Sequence, residues 1–215
     1  MSTREFDIES MPPMDRYRLL IGTIVPRPIA FVSSVSMGGD TNLAPYSFYN
    51  GVGANPMLVM FCPANNADGS PKDSLVNALP SDEGGTGEFV VNVASERYER
   101  EVAAAGEALA HGESEFELTG LTPTPSRVVA APRVAESPAG FECVTERVLR
   151  FAGDAPGGAN LVIGRVVHAW ADEALSTEAG HVDAHGLAAI GRMGGADYVR
   201  TADRFPLPRG RAALQ

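Results

Sequence analysis

One short segment of the chain combines a cation, hydroxyl groups and helix-start residues in the pattern of an anion site. The segment SPKDSLVNALP spans residues 70–80, and its Lys72 is the only lysine in the chain. Ser70 fits the N-cap of a predicted helix and Pro71 fits its first position. Free N–H groups at a helix start, together with the Lys72 ammonium and the Ser74 hydroxyl, would suit a phosphate. Taken alone, these residues favour an ordinary capped surface helix over an anion site.

A second segment has side chains that are unusual for a strand inside a core. Residues 42–50, NLAPYSFYN, contain a proline and several hydrogen-bonding side chains, including Asn42, Ser47 and Asn50. Pro45 cannot donate to a sheet ladder, which confines it to an edge strand or a bulge. The segment is therefore predicted to be an edge strand that faces a ligand.

Two further side chains have two interpretations each. Arg27 lies between Pro26 and Pro28 in an extended lead-in, where it faces either solvent or an anion. His168 lies near the end of a predicted strand, and it is either a hydrogen-bonded wall residue or a general acid.

The elements that position these residues are mostly strands. The sequence Gly38-Gly39-Asp40 is typical of a hairpin turn, and Asn55-Pro56 marks another turn. Apolar patterning predicts strands at 29–37, 42–50, 57–62, 88–94, 134–151 and 160–171. The glycines at 51 and 53 are expected in the connection between the second and third of these strands. A helix capped by Ser95 is predicted at 96–105. The connection at 106–125 has a length that is typical of a functional loop or of one packed on a partner, and its acidic run is predicted to be solvated surface. The last two strands are expected to fill the core with Phe141, Cys143, Val148, Phe151, Leu161, Ile163, Val166 and Trp170.

Composition excludes several classes of function. The chain has 215 residues, 44% of them hydrophobic, and a net charge of −10 with no basic stripe, which argues against nucleic-acid and anionic-membrane binding. Its two cysteines lack metal-ligand spacing, and no apolar run is long enough to span a membrane. The sequence therefore predicts a cytoplasmic protein with no metal site. A Rossmann fingerprint and a nucleophile elbow are also missing, which fits chemistry carried by a bound cofactor.

An ordered set of segments resembles the flavin reductase-like proteins with an FMN-binding split barrel. The set runs RPIAFVSS, NLAPYSFYN, NPMLVMF, SPKDSLVNA and GEFVVNV, and then continues through FELTGLTPTPS, PRVAESPAGFEC and NLVIGRVV to GRMGGADYVR. The resemblance covers roughly residues 17–200 and includes nitrilotriacetate monooxygenase component B and flavoredoxin-like flavoproteins. It implies a mainly β, six-stranded Greek-key split barrel with a few short helices. A single domain spanning 1–215 is expected, with an N-terminal arm at 1–16 and a C-terminal tail at 201–215.

The resemblance also assigns a cofactor and its site. It places the segment around Lys72 at the FMN phosphate, with Ser74 standing where the family has threonine. It also places residues 190–200 near the flavin of the same or the neighbouring subunit. The backbone and hydroxyl groups of residues 44–48 are expected at the O4 and N5 edge of the ring. The expected cofactor-binding residues are Arg27, Ala44, Pro45, Tyr46, Ser47, Phe48, Asn50, Lys72, Asp73, Ser74, Arg192 and Gly194.

The first functional hypothesis is an NAD(P)H:FMN oxidoreductase that supplies reduced flavin to a partner monooxygenase. In this hypothesis NAD(P)H is a transient co-substrate, FAD is an alternative flavin, and the protein is a homodimer. The alternatives are an enzyme with tightly bound FMN that oxidises or oxygenates a small substrate, and a flavin-binding or electron-transfer module without turnover.

Overall fold

The structure is a computed structural model that describes residues 2–110 and 112–214. Its strands are β1 (Arg27–Pro28), β2 (Ala30–Val35), β3 (Thr41–Tyr46), β4 (Tyr49–Ala54), β5 (Met57–Phe61), β6 (Glu88–Val93), β7 (Pro123–Thr124), β8 (Arg133–Val134), β9 (Ala139–Arg150), β10 (Asn160–Ala171), β11 (Ile190–Arg192) and β12 (Tyr198–Arg200). Its helices are α1 (Pro13–Thr23), α2 (Asp73–Ala78), α3 (Glu99–Ala104), α4 (Glu115–Thr119) and α5 (Ala184–Leu187). The chain is mainly β with short flanking helices, as the sequence predicts.

Seven antiparallel strands form the main sheet, in the order β3-β2-β6-β9-β10-β5-β4. Although β3 and β5 are far apart in that order, the rings of Tyr46 on β3 and Phe61 on β5 lie 5.2 Å apart. The sheet is therefore curled around one interior, as in a β-barrel. That interior is filled by Ala30, Val32, Tyr46, Val59, Phe61, Leu75, Ala78, Phe89, Val91, Cys143 and Val162.

Helices α3 and α4 cover the outer face of β2 and β3. Because side chains alternate along a strand, Phe31 and Leu43 point away from the barrel interior and pack with Val102 of α3 and Phe116 of α4. Fully burying a side chain of this size contributes about 1.5–3 kcal/mol. These contacts hold β3 between two apolar cores.

A buried carboxylate fastens the loop before β8 to the outer face of β9. Glu142 is fully buried and accepts the backbone N–H groups of Arg127 at 2.8 Å and Val128 at 2.7 Å. It also accepts the guanidinium of Arg133, which lies 4.2 Å above the ring of Trp170. Neutral donors and one cation thus compensate the buried charge.

The predicted hairpin is confirmed, because β2 and β3 pair antiparallel around a turn in which Gly39 has φ of 95°. The predicted strand at 88–94 and the long β9–β10 pair are also confirmed. The single strand predicted at 42–50 is wrong. The chain bends at Ser47 and Phe48, and β4 then begins as a separate strand that contains the two glycines expected in a connection. This division gives the main sheet seven strands rather than six.

The core prediction for the long strands is partly wrong. Phe151 lies beyond the end of β9 and is 69% exposed. Among the apolar side chains of β10, Val162 is fully buried, whereas the predicted Leu161 and Ile163 are only partly buried. Alternation explains the last difference, because neighbouring positions on a strand face opposite sides and only one set can point inward. Within the described residues, no helix has the length and apolar character needed to cross a membrane.

Candidate functional site

A cleft of about 770 Å³ lies between β3, the loop before α2 and the residues that follow α3. Its volume is within the range of small-molecule sites. Six of the predicted site residues line it together: Ala44, Pro45, Tyr46, Lys72, Asp73 and Ser74.

The free edge of β3 forms one wall of this cleft, which confirms the edge position predicted for Pro45, whereas a ligand on that edge stays a prediction. The N–H of Leu43 donates to a carboxylate oxygen of Glu115 at 2.8 Å, so it points away from β2. Inward and outward N–H groups alternate along an antiparallel edge strand. Pro45 therefore takes an outward position, where its missing N–H costs no ladder bond, whereas the N–H groups of Ala44 and Tyr46 face β2.

The bend after β3 offers backbone N–H groups to a ligand, which the strand itself does not. Ser47 and Phe48 lie outside the ladder, and their N–H groups have no partner among residues 2–110 and 112–214. The ring of Phe48 lies 6.5 Å from that of Tyr17 and 6.0 Å from the guanidinium of Arg27. The N–H groups open to a ligand are thus those of the bend, rather than those of the whole 44–48 segment.

Ser74 connects α2 to β3 through a buried hydrogen-bond network. Its hydroxyl oxygen lies 2.8 Å from the Tyr46 hydroxyl and 2.9 Å from the side-chain nitrogen of Asn42, and the residue is 1% exposed. Burial raises the pKa of Tyr46 far above its usual range, so its hydroxyl stays neutral. Ser74 lines the cleft, but its oxygen is turned toward these partners. Its contact with a phosphate stays a prediction.

The predicted start of the helix at Ser70 and Pro71 is wrong, because α2 begins at Asp73. The Ser70 hydroxyl and backbone N–H instead bond to the carboxylate of Asp68, at 2.6 Å and 2.9 Å. This local turn satisfies both donors without a helix. Lys72 consequently takes the N-cap position, and α2 has only six residues.

The Lys72 ammonium is held by a neutral side chain. Its Nζ donates to Oδ1 of Asn66 at 3.0 Å. An ammonium has three N–H donors, so one bond of this kind leaves two directions for other partners. Within residues 2–110 and 112–214 Lys72 makes no ion pair at 4.0 Å or closer. Its positive charge is thus available to an anionic ligand.

The turn between β9 and β10 braces the loop that carries Asn66. The side chain of Asn65 donates to the carbonyl of Gly153 at 2.7 Å and accepts from Asn160 at 2.8 Å. Gly69, at φ of 91°, lies so close to the carbonyl of Asp154 that a Cβ would collide with it. Only glycine fits there, and the loop is held against the barrel end.

The prediction that the acidic run within 106–125 is solvated surface is wrong for Glu115. This connection contains α4, whose first residue Glu115 is buried and accepts the Leu43 N–H inside the cleft. Burial raises the pKa of the Glu115 carboxyl, and the Leu43 hydrogen bond only partly opposes this.

Arg27 is buried rather than solvent-facing, being 3% exposed. Its guanidinium donates to the carbonyls of Ile21 at 2.7 Å, Ile24 at 2.9 Å and Met193 at 2.9 Å. A fourth bond, at 3.2 Å, reaches the hydroxyl of Ser47. Arg27 thus fastens α1 and the β11–β12 turn to the bend after β3, and its direct contact with a flavin stays a prediction.

Arg192 and Gly194 lie beside this buried arginine. Arg192 is the register partner of Arg27 across β1 and β11, and its guanidinium lies 4.5 Å from the Tyr198 ring centroid. Gly194 packs beside α1, where a Cβ would be in ordinary van der Waals contact with the Cα of Gly22, at 3.6 Å. The structure therefore divides the predicted site into two groups that are adjacent along β3. The cleft group consists of the six predicted residues that line the cleft, and the Arg27 group consists of Arg27, Ser47, Phe48, Arg192 and Gly194.

Two predicted site residues lie outside both groups. Asn50 is exposed on β4, and its side-chain oxygen accepts the N–H of Gly51 at 2.8 Å. His168 is partly buried on β10 and is the register partner of Glu142, whose carboxylate faces the outside of the barrel. Neither residue lines the cleft, and their roles stay predictions.

Sequence reasoning missed Asn66 and Glu115. Asn66 stands in an ordinary turn sequence, ANNADGS, where an asparagine has several explanations. Glu115 stands in an acidic run, and only the neighbouring apolar Phe116 hints that one side of this segment is buried.

The residues present fit FMN. One wall of the cleft offers a cation with unused donors, and the strand on the other wall leads into a bend with unpaired N–H groups. An anion and a polar ring edge are the chemical groups that such donors bind. No cluster of potential metal ligands occurs in the part of the chain that the structure describes.

A curled antiparallel sheet with this cleft at its edge strand defines the class of split-barrel flavin proteins. The family described as "Flavin reductase like domain" matches residues 21–187. The chain belongs to this family, whose members are flavin-binding oxidoreductases.

Solved structures agree with this assignment. Nitrilotriacetate monooxygenase component B from Bacillus cereus is 37% identical, with a TM-score of 0.88 over 96% of this chain and 100% of that one. The 2-nitrobenzoate 2-nitroreductase NbaA from Pseudomonas fluorescens is 29% identical, with a TM-score of 0.83 over 97% of each chain. A protein from Shewanella frigidimarina described as having a split barrel domain is 22% identical, with a TM-score of 0.79 over 94% of this chain and 96% of that one, and it supports the fold alone.

Proposed function

We propose that the protein is an NAD(P)H:FMN oxidoreductase that supplies reduced flavin to a partner monooxygenase. The observation that carries the proposal is a Lys72 ammonium that lines the cleft with only a neutral hydrogen-bond partner, together with the unpaired N–H groups of the Ser47–Phe48 bend, which directly follows the β3 wall of that cleft. The similarity to a monooxygenase component B favours a monooxygenase as the recipient of the reduced flavin.

The chain's own residues bind and orient the cofactor in this proposal. Lys72 holds the phosphate through charge-assisted hydrogen bonds, and the N–H groups of Ser47 and Phe48 hold the polar edge of the ring. Arg27 keeps Ser47 in place through the bond to its hydroxyl. Donors fixed before the reaction favour the negative charge that develops on reduction.

When bound, FMN supplies a hydride acceptor for the nicotinamide, so no side-chain acid or nucleophile is needed for that transfer. The protein's contribution is position and electrostatics. His168, on the outer side of the barrel, is accordingly proposed as a wall residue.

The test is a comparison of flavin retention and NAD(P)H oxidation. The purified chain is assayed for bound flavin, and oxidation of NADH and of NADPH is then followed with and without added FMN. Oxidation that saturates with added FMN supports the reductase. Bound flavin with no nicotinamide oxidation under either condition contradicts it and points to a binding module.

A second candidate is a flavoenzyme that retains FMN and converts a small substrate. The similarity to a 2-nitrobenzoate 2-nitroreductase favours reduction of a nitroarene. In that case FMN remains bound through gel filtration, and NAD(P)H oxidation depends on the nitroarene rather than on added FMN.

We also propose that the protein is a homodimer with flavin sites near the subunit interface. An apolar stripe of α1, formed by Met14, Tyr17 and Leu20, is exposed beside the Arg27 group. A two-fold contact over this stripe would bury it and create two equivalent sites.

A further inference from the structure

We infer that Asn66 is a positioning residue that aims the Lys72 ammonium at the phosphate of the flavin without neutralising it. This inference rests on the proposed function, because it concerns the phosphate end of the same site.

The geometry ties the lysine to the amide from one side. Nζ of Lys72 and Oδ1 of Asn66 are 3.0 Å apart, and both residues line the cleft. The bond removes part of the rotamer freedom of a long side chain, which is a main entropic cost of using lysine as a ligand. An ammonium held in this way binds an anion with less ordering on arrival.

The amide itself is fixed from the other side. Its nitrogen donates to the hydroxyl of Ser70 at 3.1 Å and, at 3.4 Å, to the carbonyl of Pro71. These two acceptors identify the nitrogen end of the amide, so the oxygen end must face Lys72. The backbone of Asn66 is held as well, because its N–H donates to the carbonyl of Ser70 at 2.9 Å and its carbonyl accepts from Gly157 at 3.3 Å.

The choice of an amide over a carboxylate is the informative feature. An aspartate has the same length and also offers an oxygen to Lys72, but it would form an ion pair and cancel the charge that a phosphate needs. The loop does contain a carboxylate, Asp68, and its oxygen is occupied by both donors of Ser70. The residue in contact with the lysine is thus the one that orients it and leaves its charge unchanged.

The test is a double-mutant cycle on the full chain stripped of flavin, with FMN and riboflavin as matched ligands. Dissociation constants are measured by flavin fluorescence for the wild type, Asn66→Ala, Lys72→Met and the double variant. Because a hydrogen bond contributes about 0.5–1.5 kcal/mol, Asn66→Ala should weaken FMN binding about twofold to twelvefold. Riboflavin, which lacks the phosphate, should bind as before, and Asn66→Ala should have no further effect once Lys72 is methionine.

Asn66→Asp is the second variant, and it covers the case in which the alanine variant does not fold. It keeps the acceptor and adds a charge, so it should lower FMN affinity at least as much as alanine does while riboflavin binding stays unchanged. Equal losses for the two ligands, or a loss of FMN affinity that persists in the Lys72→Met background, would show that Asn66 only supports the loop and would overturn the inference. A wild type that binds neither ligand would instead overturn the proposed function itself.

Discussion

Replacing Glu142 with glutamine should strongly destabilise the fold while leaving the cleft beside β3 intact. The carboxylate is fully buried and accepts two backbone N–H groups and the Arg133 guanidinium. Glutamine removes the charge and turns one acceptor oxygen into a donor, so one of the N–H groups that the carboxylate now accepts, such as that of Val128, loses its acceptor. Breaking a buried ion pair from one side costs about 3–5 kcal/mol. For a chain of this size that corresponds to a fall in Tm of roughly 6–20 °C.

The effect should depend on pH with a definite sign. Burial opposes ionisation of Glu142, but the N–H groups of Arg127 and Val128 and the charge of Arg133 outweigh it and lower its pKa. A carboxyl with a lower pKa in the folded state stabilises the fold fully above its unfolded pKa of roughly 4.3, and this contribution is lost as the pH falls through the folded value. The wild type and Glu142→Gln should therefore differ most at neutral pH and converge in acid.

The measurement is urea unfolding of the wild type and the variant from pH 7 down to pH 3. Glu88→Gln is the matched control, because Glu88 accepts the N–H of Ala130 in the same loop at 2.7 Å but is only partly buried. The Glu88→Gln substitution should lower the free energy of unfolding by no more than about 1.5–3 kcal/mol. Two results would contradict the reasoning that the charge of Glu142 holds this loop. Glu142→Gln could lower the free energy of unfolding no more than Glu88→Gln does at pH 7, or its effect could fail to decrease as the pH is lowered.

Four further outcomes are expected. Lys72→Met should weaken FMN binding roughly 10- to 150-fold, because a charge-assisted hydrogen bond contributes about 1.5–3 kcal/mol. Riboflavin binding should stay unchanged, and equal losses of affinity for the two ligands in a fluorescence titration would remove Lys72 from the phosphate site. Ser47→Leu should weaken flavin binding and slow flavin reduction without unfolding the chain; retention of both flavin and rate would show that the bend does not face the ring. His168→Gln should keep hydride transfer within a few-fold, whereas a loss of about 10²-fold in stopped-flow reduction would indicate acid–base assistance. Light scattering at micromolar concentration should give twice the chain mass of 22.6 kDa, and a monomer mass would contradict the proposed dimer.

Much of the architecture follows from local sequence patterns. The glycine-rich turn at 38–40 and the alternation of β2 predict a hairpin, and the two long strands are separated by an evident turn. Pro45 alone predicts that β3 lies at an edge, because a residue without an N–H cannot pair on both sides. These predictions succeed because the physical reason acts within a few residues of the chain.

The candidate site is only partly local. The sequence identified Lys72 as a candidate cation, but it placed the helix start at Ser70, where the nearby Asp68 offers a stronger local partner. The turn sequence around Asn66 does not show that this residue accepts a hydrogen bond from Lys72, and the loop is also braced by the β9–β10 turn far along the chain.

The sequence by itself determined the β2–β3 hairpin, the long β9–β10 pair, the edge position of β3 and the presence of a single lysine beside a helix. The tertiary structure alone decided which polar groups are consumed by the fold and which remain open to a ligand. The sequence predicts the Ser74 hydroxyl and the Arg27 guanidinium as ligand contacts, just as it predicts Lys72. In the structure, however, both groups are hydrogen-bonded to other parts of the protein. The reason is that a buried polar group must find a partner. Tyr46 for Ser74, and Met193 and Ser47 for Arg27, are distant in sequence and become neighbours only in the folded chain, although Arg27 also bonds to the nearby carbonyls of Ile21 and Ile24.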